Sequence, residues 1–176
     1  MMISSEQAER EAIMNVAKQM AAAARTAPKT RGRDYLETVI VAGEELKEYA
    51  ARMEDLGEKY NLPFMIRDSK SIRESDVVVF FGIGHHTRDL NEACQYCGSD
   101  NCGECMAKQN SCVYDPIDLG IALSSAVSIA ADNRIDNRIM FSVGRAAKST
   151  GIFGDDTAMV FGIPLSAKGK SNYYDR

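Results

Sequence analysis

All five cysteines of the chain fall between Cys94 and Cys112, in the run CQYCGSDNCGECMAKQNSC. Cys94, Cys97, Cys102 and Cys105 stand as Cys-x2-Cys-x4-Cys-x2-Cys, and Cys112 follows. Two thiols separated by two residues can turn toward one point, so the run reads as a grip for metal. Thiolates are soft ligands that select zinc, copper(I) or iron–sulfur clusters. Four of them complete either a tetrahedral zinc site or the outer shell of a four-iron cluster. Zinc ribbons usually place their pairs about 15–20 residues apart, whereas here only Gly98 to Asn101 intervene. So short a link favours one continuous loop wrapped around a cluster.

Within the run, Cys97-x4-Cys102-x2-Cys105 equals the plant-type ferredoxin spacing, and the bacterial Cys-x2-Cys-x2-Cys-x3-Cys-Pro run is missing. The reading is therefore an iron–sulfur cluster, taken as 4Fe-4S, with zinc as the alternative. Cys94, Cys97 and Cys102 are the first ligands, and Cys105 and Cys112 compete for the fourth place. Gly98 and Gly103 follow cysteines where the backbone must bend. His85 and His86, the only histidines, stand just upstream, either as a substitute ligand or hydrogen-bond donor to sulfur or as part of a solvated turn. A lone nucleophilic cysteine fits less well, because two-residue spacings suit chelation. The adjacent acids Glu44-Glu45 and Asp155-Asp156 read as caps or solvated surface.

The elements that must position this run are legible around it. Ser4 or Ser5, with Gln7 three residues after Ser4, can cap a helix that carries Ile13, Val16, Ala17 and Met20 at helical spacing to about Arg25. Pro28 ends it, and a basic loop follows with Lys29, Arg31 and Arg33 around Gly32. Leu36 to Ala42 reads as a strand, and Leu46, Tyr49, Ala50, Met53 and Leu56 form one face of a second helix. Pro63 to Ile66 reads as a short strand with a brief helix near Ser71, and VVVFFGIG, Val77 to Gly84, as a fully buried strand leading into the cysteines. Gly82 and Gly84 lack the third glycine of a dinucleotide fingerprint, which argues against NAD. Asp115-Pro116 opens a buried helix. Ile139 to Val143 and Thr157 to Ile163 read as strands, with a short helix at Gly144 to Lys148 between them and a polar tail bearing Lys168, Lys170, Tyr173 and Tyr174.

The fold class is α+β with α/β-like alternation: a central sheet flanked by helices. The 176 residues make one domain, 1–176, with residues 85–115 as an inserted cysteine-rich, ferredoxin-like loop. Hydrophobic residues at 45% and charged residues at 26% are those of an ordinary globular protein. A net charge of −4 argues against nucleic acid as a partner. No apolar run has the length of a membrane span and no signal peptide is visible, so the expected location is the cytoplasm, where thiols stay reduced.

The order of segments also carries a resemblance. AAARTAPKTRGRDYLETVIVAG resembles the helix, Ala-Pro loop and strand of the nitroreductase family, DLGIALSSAVSIAADNRIDNRI its long buried dimer helix, and DDTAMVFGIPLSAKGK its last strand and basic segment. With the cysteine loop between the halves, the chain resembles a family of uncharacterised prokaryotic proteins containing a ferredoxin domain. The nitroreductase resemblance implies a homodimer with FMN at the interface. It sets Lys168 and Lys170 against the flavin phosphate and places Arg31 and Arg33 in the Ala-Pro loop, where Lys29 to Asp34 replace that family's usual Asn and Gln-Pro-Trp. The implied activity is redox: electrons pass from the cluster to FMN or to a partner protein. A non-catalytic dimer with a structural zinc loop, acting as a binding module, is the alternative.

Overall fold

The structure, a computed structural model, describes residues 1–174. Its centre is strand β2, Val77–Gly84, buried at every residue. β2 lies between β1, Leu36–Ala42, and β4, Thr157–Ser166, and β3, Asp136–Asn137, completes the order β1-β2-β4-β3. All three pairings are antiparallel. Such sheets often leave one face wet, but here helices cover both. Helices α1, Ser5–Thr26, and α5, Tyr114–Asp132, pack on the face presented by Val77, Val79, Phe81 and Ile83. Helices α2, Glu44–Lys59, α3, Pro63–Arg73, and α6, Phe141–Ala147, cover Val78 and Phe80 on the other. Because side chains alternate along a strand, one apolar run serves two cores.

Local signals account for several boundaries. The Gln7 N–H donates to Ser4 Oγ at 3.2 Å and caps α1, although the Gln7 side chain turns to Glu11 instead of closing the box. The strand expected at Pro63 to Ile66 is instead the first turn of α3, with proline at its start. Proline has no N–H to donate and its φ suits a first helical turn, and Met65, Ser69 and Ile72 then recur on the buried side. The strand expected at Ile139 to Val143 shrinks to a single bridge, Met140 to Gly162, because α6 begins at Phe141. Gly144 lets α6 lie on β4: a Cβ there would stand 1.9 Å from the Val160 carbonyl oxygen. The tail is not wholly polar surface, since Tyr173 is fully buried with its hydroxyl 2.9 Å from Ser75 Oγ.

Candidate metal and cofactor site

The cysteine stretch leaves the end of β2 and returns to the chain at α5. A short helix, α4, spans Cys102–Ala107 inside it. Asn101 caps α4 by accepting the Glu104 N–H at 2.9 Å, and Glu104 accepts the Asp100 N–H at 2.5 Å. This reciprocal cap fixes the start of the helix, so Cys102 and Cys105 lie one turn apart on one side. The tight reversals fall at Asp89, Asn91, Gln95, Gly98 and Gln109, all with positive φ. Gly103 is not among them, because it is helical.

All five thiols line one cavity, together with Thr87, Arg88 and Ser99. Cys105 and Cys112 are buried, and Cys94, Cys97 and Cys102 are half-buried. The thiols line the wall of the cavity and do not meet at a point: among the described residues no three His, Cys, Asp or Glu side chains form a ready single-ion site. Backbone N–H groups aim at sulfur. Asn91 donates to Cys102 Sγ at 3.4 Å. The Ser99 amide is the main cause of a lowered pKa at Cys97, and the Tyr114 amide serves Cys112. Burial pushes the Cys105 thiol up to about 11, with the neighbouring Cys97 adding to the rise, and burial likewise raises Cys112. Ser99 Oγ is buried beside the Cys97 thiol and adds to the lowering of its pKa.

Behind the cavity lies a charged cluster that the motifs did not reveal. Arg88 is 1% exposed and donates from Nη1 to Asp115 Oδ1 at 2.9 Å and from Nη2 to Asp118 Oδ2 at 2.8 Å. The two carboxylates are equally buried. Asp118 also accepts the Thr30 N–H at 3.1 Å and the Thr30 hydroxyl at 2.8 Å, and Asp115 accepts the His86 N–H at 3.1 Å. Burial raises the pKa of Asp115, against the pull of the His86 amide and Arg88. Tyr35 completes the packing, its ring 3.9 Å from that of His86 and 5.0 Å from the Arg88 guanidinium carbon. A signal existed: two acids three residues apart open an otherwise apolar helix, and a buried carboxylate requires a cation.

The histidines divide. His86 is held in the Tyr35 stack, whereas His85 Nδ1 stands 3.1 Å from Ser111 Oγ, beside Cys112 in sequence. The basic residues divide as well. Arg31 donates from Nη1 to the Arg88 and Asp89 carbonyls at 2.7 and 3.0 Å, and Arg33 pairs with Asp89 at 2.6 Å. Both therefore sit at the Gly84 end of β2, next to the cysteine stretch. Lys168 and Lys170 lie at the Val77 end, in a groove shared with Arg67 and Lys70, where Lys168 Nζ donates to the Glu74 carbonyl at 2.5 Å. A single chain does not bring the two pairs together.

Three comparisons bear on this geometry. Residues 108–176 match the family described as "Uncharacterized protein containing a ferredoxin domain". An uncharacterized protein of Archaeoglobus fulgidus is 41% identical over 185 residues, covering 100% of this chain and 98% of that protein. Among solved structures, nitroreductase CinD from Lactococcus lactis, in complex with nicotinic acid, superposes with a TM-score of 0.64 at 9% identity, over 89% of this chain and 79% of that one. A nitroreductase with bound FMN from Desulfitobacterium hafniense gives 0.53 at 17% identity, over 97% and 81%. At these identities the likeness is one of fold, and the fold is nitroreductase-like.

Proposed function

Because the chain belongs to the family of uncharacterized proteins containing a ferredoxin domain, we propose that it is an iron–sulfur redox protein. Its Cys94–Cys112 thiols hold a cluster, 4Fe-4S, which exchanges electrons with FMN or with a partner protein. The observation that carries this reading is the convergence of five thiols on one cavity at the end of the buried strand β2. The donor set fits a cluster. Soft thiols surround the space, amides point at Cys97, Cys102 and Cys112, and the buried Ser99 hydroxyl stands where it can donate to sulfur. When bound, the cluster supplies one-electron chemistry. The chain's own part is to hold the thiols around one cavity walled by Thr87 and Arg88 and to supply N–H donors that favour the thiolate form.

FMN, if it touches both Lys168–Lys170 and Arg31–Arg33, must lie between two copies of the chain, since one copy holds these pairs at opposite ends of β2. That supports a homodimer. The half-exposed Ile117 and Ile121 on the outer side of α5 offer an apolar surface for it. Among the described residues no helix is long and apolar enough to cross a membrane, and the reduced thiols suit the cytoplasm.

Cys97→Ser tests the reading. The variant is expected to lose nearly all bound iron and acid-labile sulfide while keeping the helical and strand content of the wild type. Unchanged iron and sulfide in that variant would sink the ligand assignment. A wild type that holds stoichiometric zinc and no sulfide would select the structural zinc loop instead.

A further inference from the structure

The loop between α1 and β1 and the stretch that leads into the cysteines are fastened to each other around the buried guanidinium of Arg88. On one side, Arg88 forms part of the wall of the thiol cavity, and the Asp115 N–H donates at 3.0 Å to the carbonyl of Cys112. On the other side, Arg88 shares Asp118 with the backbone and hydroxyl of Thr30. Arg31 reaches back to the Arg88 and Asp89 carbonyls, holding a left-handed φ of 57° as it does so. Arg33 closes the connection on Asp89.

We infer that Arg88 is a positioning residue that couples the thiol shell to the neighbouring loop, so that metal in the thiol shell orders residues Thr30–Arg33. The inference rests on the metal reading of the cysteines, but not on which metal is bound. A buried guanidinium with two carboxylates has few alternative arrangements, because any displacement strands a charge away from water. Moving the cavity wall therefore moves Asp118, and Thr30 with it. Coupling of this kind is reciprocal: whatever free energy metal adds to the ordering of the loop, an ordered loop adds to metal retention.

Hydrogen exchange on the full-length protein, with its metal in place and after chelation, tests this directly. The Thr30 amide, bonded to Asp118, should exchange roughly 5–150-fold faster after metal removal, the range of ordinary site-to-site coupling, while the amides of β2 stay protected. In Arg88→Lys the loop should exchange fast whether metal is present or not. Should that variant fail to fold, Thr30→Val, which removes only the hydroxyl bond to Asp118, should shrink the metal-dependent factor at residues 29–34 with metal content unchanged. A merely structural Arg88 would instead loosen the whole chain equally. Metal present with a loop indifferent to its removal would overturn the inference alone. Protein holding neither iron nor zinc would overturn the metal reading and the coupling with it.

Discussion

Arg88 and Asp115 pair at 2.9 Å with 1% and 0% of their side chains exposed, directly behind the cavity that all five thiols line. A pair so placed is poor evidence for added stability, since taking both charges out of water offsets most of their attraction. It is strong evidence for a fixed geometry, because Asp115 and Asp118 together hold Arg88 by three separate nitrogens.

Removing one partner leaves the others stranded. Arg88→Met keeps much of the volume and abandons two buried carboxylates, so it should lower unfolding free energy by about 3–5 kcal/mol. Urea denaturation of the metal-loaded protein at neutral pH measures the loss. A change below 1 kcal/mol would mean that water reaches the cluster of charges after all.

Part of this architecture was plain in the sequence. β1 and β2 were readable to the residue, because both are dense in β-branched residues, β2 adds two phenylalanines, and neither has a competing helical period. That the five cysteines share one cavity was readable from their spacing. Asp115 and Asp118 could have been flagged as acids opening an apolar helix, but their partner could not, because Arg88 lies 27 and 30 residues away and nothing local marks a contact made across the fold. Tyr173 failed for the same reason: its neighbours look polar, and only the packing of the tail on α3 and β4 shows it to be core. At Pro63 and at Phe141 a short apolar run was open to either period, and helix packing on the sheet decided it.

Asp34 should give a measurable pH dependence. Burial pushes its carboxyl up, but the hydrogen bond from Arg25 at 2.7 Å, the Leu36 amide and nearby Lys29 outweigh it, and the net pKa is lowered. A lowered carboxylate pKa adds stability above its unfolded value and loses it as the pH falls through the folded one. Asp34→Asn should therefore cost about 0.2–1 kcal/mol at pH 7, as a partly exposed pair does, and the difference from wild type should fade below about pH 4. Thermal melts at several pH values would show it, and a constant difference across the range would contradict it.

The groove at the Val77 end makes a prediction about FMN. Lys168→Ala should weaken FMN binding by about tenfold, corresponding to about 1.4 kcal/mol for one charge-assisted contact. Quenching of flavin fluorescence on titration reads the affinity. Riboflavin, which lacks the phosphate, should bind wild type and variant alike, and an equal loss for both ligands would place the lysine elsewhere than at the phosphate.

The central claim is that the five thiols hold iron and sulfide. Protein purified without oxygen should be brown, absorb broadly near the 400 nm region, and contain iron and acid-labile sulfide in equal amounts, about four of each per chain for a 4Fe-4S cluster. Colourless protein with one zinc per chain and no sulfide would contradict the claim and make the cysteine stretch a structural staple.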